Sequence, residues 1–261
     1  MISAIILLPI VILIVLKGGL FLFAALIALC SATGIYEFYR MALPTRKLEL
    51  YLAAMAGSAL VFVPLLNNDR LILPCIGVLF VSFSLLFLFR IRTIDIAAGE
   101  VALSLLAFIY IPFLLMHLVQ LRQTTFGIQW ILVIMLIVMT NDSAAYYSGS
   151  AFGKHRLYPL VSPKKSIEGA IGGLIGSFGG TMLAKFTFFP ELTFIDAVLT
   201  AIVIGVVGQA GDLFESLLKR SFGVKDSGTI IPGHGGVLDR MDSIIFAAPI
   251  TYYYVLFFFR G

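Results

Sequence analysis

What limits this chain most is a succession of long apolar runs. Nine can be traced, at about 2–16, 18–37, 50–66, 71–89, 98–119, 128–147, 165–186, 195–217 and 243–259. A hydrocarbon core of about 30 Å takes about 17–25 residues of helix, which these runs match or approach. No water serves backbone N–H and C=O groups inside a bilayer, so only helices or closed barrels can cross it. The runs are continuous rather than alternating, which excludes barrel strands. With 60% hydrophobic and 12% charged residues, and a mean hydropathy of +1.05, too little polar surface remains for a soluble domain. The expectation is an all-α polytopic transmembrane bundle of about nine helices, one integral membrane domain over residues 1–261.

Only Lys17-Gly18-Gly19 separates the first two runs, so residues 1–37 also fit one long bent helix or a re-entrant element. A cleaved signal peptide is a poor reading, because a basic leading region is missing and the apolar character continues past any cleavage point. Cys30 and Cys75 lie in apolar runs without metal-like spacing and read as small buried side chains. Trp130, near the start of a run, reads as an interfacial anchor.

Basic residues mark the orientation. Connections after the second, fourth, sixth and eighth runs carry 13 of the 18 Lys and Arg residues, and the opposite side carries five. The even connections are therefore expected in the cytoplasm, with the N-terminus on that side and the C-terminus on the other. The two longest polar connections, about 148–164 and 218–242, then share one face, where they can build a polar site.

Acidic residues are as uneven. Nine of the 14 carboxylates fall between Asp142 and Asp242, whereas residues 1–141 supply mostly apolar side chains and scattered loop charges. The densest stretch, Ser216 to Asp242, holds Lys219, Arg220, Lys225, Asp226, His234, Asp239, Arg240 and Asp242. Asp142 follows an almost unbroken apolar run, and an acid bordering a span is costly enough to suggest function. Ser162-Pro163 has the chemistry of a helix start. Lys164 and Lys165 would then lie in the first helical turn, where an anion could relieve their conflict with the helix dipole. Positive-inside bias alone would also place lysines there.

Glycines at 169, 172, 173, 176, 179 and 180 include small-xxx-small pairs suited to close helix packing. Asp212, Glu215, Ser216 and Lys219 share one helical face by their offsets. Asp212 and Asp239 are oxygen donors of the kind a hard cation such as Mg²⁺ accepts, while Arg240 and the lysines suit phosphate oxygens. His234 has no second His at ligand spacing, so zinc is not indicated. Neither a Walker A pattern nor a G-x-S-x-G elbow is present.

In these residues the chain resembles the phosphatidate cytidylyltransferases, also called CDP-diacylglycerol synthases. Their pattern is met at Ser216, Lys219-Arg220, Lys225-Asp226, Gly228, Pro232, His234-Gly235-Gly236, Asp239-Arg240 and Asp242. Asn141-Asp142, Ser162-Pro163-Lys164-Lys165-Ser166 and Glu168 also resemble family segments, so the likeness is strong over about 138–243, which it implies is the catalytic region, with 1–137 mainly apolar scaffold. The resemblance implies transfer from CTP to phosphatidate at the cytoplasmic leaflet, giving CDP-diacylglycerol and pyrophosphate, in phospholipid biosynthesis. It implies Mg²⁺ at Asp212 and Asp239, with a monovalent cation such as K⁺ able to take a second position.

On this reading Asp212, Asp239, Lys219, Arg240 and Asp242 are catalytic. Asp142, Lys164, Lys165, Glu168, Arg220, Lys225, Asp226 and His234 bind substrate. The expected setting is a bacterial inner membrane with the site facing the cytoplasm and no nucleic-acid partner, and a homodimer is left open. Alternatives are a CTP-dependent lipid kinase, another lipid cytidylyltransferase, and, in a different class, a cation or phosphate transporter.

Overall fold

A computed structural model of the chain describes residues 2–91, 93–230 and 235–260. Among them, seven helical spans are long and apolar enough to cross a membrane. They are α2 (Leu20–Ala42), α3 (Lys47–Phe62) with a short 3₁₀ extension to Leu66, α4 (Ile72–Phe89), the compound span Ile94–Arg122, α7 (Gly127–Phe152), α8 (Ile167–Thr187) and α9 (Phe194–Ser221). The two remaining apolar runs are helical as well. One is α1 (Ile2–Lys17), of 16 residues, and the other is α10 (Leu238–Phe257), whose first turns carry Asp239, Arg240 and Asp242.

Residues 1–37 do not form one bent helix. The helix α1 stops at Lys17, and Gly19, in extended backbone, opens α2. The span Ile94–Arg122 is not uniform either: α5 (Ile94–Phe108) passes through a π turn at Ile109–Phe113 into α6 (Leu114–Arg122). Pro112 within that turn has no N–H to donate, and the wider turn accommodates the missing bond.

The chain forms two compact units. One comprises Met1–Gln120 with Asp226–Arg240, and the other Leu121–Lys225 with Met241–Gly261. In the first, α2 packs along α3, and α4 and α5 pack together. A methyl group on Gly57 would lie 2.3 Å from Ile35 Cδ1, so the bare backbone is what lets α3 approach α2. Near the polar end, Arg46 is buried and forms a fork with both Glu100 oxygens, while its Nη1 donates to the Arg90 carbonyl at 2.8 Å. Glu49, also buried, accepts from Arg90 Nε at 3.0 Å. Charges removed from water must be matched in this way or they destabilise the fold.

In the second unit α8 lies against α7 and α9, and its glycines are the reason it can. A Cβ on Gly176 would come within 2.4 Å of the Thr140 carbonyl oxygen, and one on Gly172 within 1.9 Å of Ser148 Oγ. The packing role expected for the small-xxx-small pairs is therefore met. A buried amide relay crosses the three helices. Asn141 Nδ2 donates to Ser177 Oγ at 2.8 Å, and Gln209 Nε2 donates to Asn141 Oδ1 at 3.1 Å.

Two readings of single side chains need correction. Trp130 is no interfacial anchor: it is fully buried among Phe189, Tyr254 and Phe259, with ring centroids 5.0 to 5.9 Å away. Cys30 and Cys75 are free thiols but only half-buried, because their helices turn part of that face outward.

A larger correction concerns Ser162 to Ser166. This segment does not begin a helix but forms strand β2 (Ser162–Ser166), antiparallel to β1 (Arg156–Tyr158). The cap of α8 is Ser166, whose Oγ accepts from the Gly169 N–H at 3.0 Å. The same cap chemistry was available four residues downstream, and β2 stays extended up to it. Lys164 and Lys165 thus precede α8 rather than occupying its first turn.

Candidate functional site

In the second unit the polar end is built on α7, the β1–β2 hairpin, α8 and α9. Glu168, in the first turn of α8, accepts from the backbone N–H of Lys154 at 3.1 Å and of His155 at 3.3 Å. It also lies 2.7 Å from His155 Nδ1. This carboxylate is committed to fixing the chain as it leaves α7, so its observed contacts belong to positioning. His155 itself was not anticipated.

Lys165 Nζ lies 2.5 Å from Asp212 Oδ2, and both side chains are half-buried. Lys164 points to solvent, and its carbonyl accepts from Arg156 at 3.4 Å.

The polar face expected on α9 is present. Ser216 Oγ donates to Asp212 Oδ1 at 3.4 Å, and Lys219 Nζ is 3.3 Å from the fully buried Glu215. Asp242, on α10, sits in the electrostatic field of Asp212 and Asp142, with Glu215 beside it. Asp142 itself is exposed on α7. Burial first, and then the negative charge of Asp212 and Asp142, disfavour the charged form of Asp242.

Among the described residues no three acidic, His or Cys groups converge tightly enough to enclose a metal unaided. Such a donor set still fits Mg²⁺, which takes one or two carboxylates and completes its octahedron from water and substrate phosphate.

The end of α9 is fixed by its own backbone. The Val224 N–H reaches the Lys219 carbonyl at 2.9 Å and the Gly223 N–H reaches that of Arg220 at 3.1 Å, with Gly223 at φ +72°. This is a Schellman closure, for which glycine's access to the left-handed region is needed. Arg220 Nη1 adds a bond to the Val224 carbonyl at 3.2 Å. Lys225 is exposed.

In the first unit Asp239 is the focus. Its Oδ2 accepts from the Ser227 N–H at 2.9 Å, from Ser227 Oγ at 2.9 Å and from the Gly236 N–H at 2.8 Å. Two backbone N–H groups and the Ser227 hydroxyl on one oxygen fix the orientation of the carboxylate. Asp226 and Arg240 are exposed. His234 and Pro232 lie outside the described residues.

Sequence reasoning missed Glu37, on α2, which is buried and accepts from the N–H groups of Val237 and Leu238, both at 2.9 Å. One signal for it existed: it is a lone acid closing an otherwise apolar run.

With this geometry in place, the comparisons are consistent. A family model described as "Cytidylyltransferase family" matches residues 1–258. A protein of Bacillus subtilis named phosphatidate cytidylyltransferase is 31% identical over 244 residues, covering 90% of this chain and 89% of its own. One of that name from Staphylococcus epidermidis is 34% identical over 254 residues, covering 95% of each chain. A third, from Staphylococcus haemolyticus, is 42% identical over 151 residues, 58% of this chain and 57% of its own. The match runs from the first apolar helix to the last, and on it the chain belongs to the cytidylyltransferase family.

Proposed function

We propose that this integral membrane protein transfers the cytidylyl group of CTP to phosphatidate, releasing pyrophosphate and leaving CDP-diacylglycerol in the membrane. The observation that carries this reading is the near full-length match to relatives bearing that activity in their names. Acids and lysines gathered at the polar ends of apolar helices support it. An oxygen of the lipid phosphate attacks the α-phosphorus of CTP. The new P–O bond forms as the bond to the bridging oxygen of the β-phosphate breaks, and pyrophosphate departs with that electron pair. The attacking phosphate is already anionic near neutral pH, so placing the reactants matters more than moving a proton.

Asp212 and Asp239 are the candidate carboxylate ligands for Mg²⁺, and a monovalent cation such as K⁺ is a candidate for a second position. Bound there, Mg²⁺ would offset charge building on the leaving group. Lys164, Lys165, Lys219, Arg220, Lys225 and Arg240 share the phosphate charges of both substrates. Asp239 and Asp212 rank ahead of Asp142, Glu168, Asp226 and Asp242 as essential acids. The excess of basic residues in the even connections supports a site open to the cytoplasm, in the inner membrane of a bacterial cell.

The test is pyrophosphate release by purified protein in micelles containing phosphatidate, Mg²⁺ and CTP. Release that needs all three, and fails with ATP or EDTA, supports the proposal. Release of CDP would point instead to a lipid kinase. No turnover by folded protein would leave transport as the reading to pursue.

A further inference from the structure

We infer that Glu37 is a positioning residue for the reaction, one that holds Ser227, Gly228 and the start of α10 at 236–238 so that Asp239 is presented in a fixed orientation. The inference rests on the function proposed above, and three observations meet on it. First, Glu37 is 1% exposed, and its partners lie about 190 to 201 positions away in sequence. A carboxylate is not withdrawn from water at that cost without donors to receive it.

Second, the donors it meets are those at the start of α10. Glu37 Oε1 accepts from the Val237 N–H and Oε2 from the Leu238 N–H, both at 2.9 Å, so an acid on α2 caps α10 from outside. Helix starts leave such N–H groups unpaired, and negative charge is favoured there. Asp239 is the next residue. Ser227 stands between the two acids, its Oγ 3.1 Å from Glu37 Oε2 and 2.9 Å from Asp239 Oδ2.

Third, two glycines of the sequence pattern match the footprint of the Glu37 carboxylate. A Cβ on Gly228 would fall 2.6 Å from Glu37 Oε1, and one on Gly236 would fall 2.5 Å from Oε2. At Gly228 the acid from α2 alone occupies that space, while at Gly236 it shares it with Ser227 Oγ, 2.1 Å from the added Cβ.

The test uses the full-length protein in detergent, with two independent readouts: amide hydrogen exchange and steady-state kinetics. Glu37→Gln is expected to speed exchange across 226–240 while α7 to α9 keep their protection. It should lower kcat by about 10- to 100-fold, as loss of a supporting contact typically does. KM for CTP and for phosphatidate should stay within about threefold, and because partial unfolding would also lower kcat at constant KM, the retained protection of α7 to α9 is what separates a local effect from a general one. Gly228→Ala should lower kcat about tenfold in the parent protein but much less in a Glu37→Ala background, where its collision partner is gone.

Unchanged exchange at 226–240, an unchanged kcat, or simultaneous loss of protection over α7 to α9 would overturn the positioning role. Parent protein that turns over no CTP with phosphatidate would overturn the proposed function instead, and the exchange readout would then judge Glu37 on its own.

Discussion

Asp239 and Glu37 meet the same short stretch of backbone, and which donor reaches which oxygen separates their roles. Asp239 is half-buried and held through one oxygen by Ser227 and Gly236. Glu37 is buried and accepts from two backbone N–H groups, one on each oxygen, and it shares the single Ser227 hydroxyl with Asp239. Replacing Asp239 with Asn keeps the shape and removes the charge. Turnover should fall by on the order of 100-fold or more, measured as pyrophosphate release, with elution from a sizing column unchanged.

Lys165 answers to Asp212 in the other unit. Lys165→Met should raise KM for CTP about tenfold, roughly the loss of one charge-assisted bond to phosphate, while kcat changes less. Asp212, Lys165 and Asp239 could be picked out because carboxylates and lysines are rare in this chain and cluster in sequence. Glu37 could not be assigned a role that way. Its partners are about 200 residues away, and no local spacing rule reaches so far.

At the scale of single elements, the apolar runs were readable because a bilayer leaves the backbone no alternative to helix. Ends and interruptions were harder. Ser162-Pro163 and Ser166 offer similar starting signals, and the choice falls to Ser166 because β2 pairs with β1 up to that residue. Ser166→Ala should lower stability by about 1 kcal/mol, seen as a reduced midpoint in a detergent thermal scan. Ser162→Ala should leave it within about 0.5 kcal/mol. The π turn around Pro112 was likewise hidden inside a continuous apolar run. The glycines of α8 behaved as their spacing suggested, since contact with α7 depends on backbone rather than on side-chain chemistry.

For the molecule as a whole, hydropathy gave the class of fold and the basic-residue asymmetry gives an orientation to test. Single cysteines placed in the hairpin, at Arg156, and after α9, at Lys225, should react with an impermeant maleimide only in inverted membrane vesicles. Labelling in intact cells would reverse the proposed orientation.

Chemistry at the whole-molecule scale is decided most directly by following where each phosphate of CTP goes. With phosphatidate and Mg²⁺ present, label at the α-phosphate should partition into the lipid phase, while label at the γ-phosphate should appear in water as pyrophosphate. Label from the γ-phosphate in the lipid, or no transfer from either position by folded protein, would contradict a cytidylyltransferase.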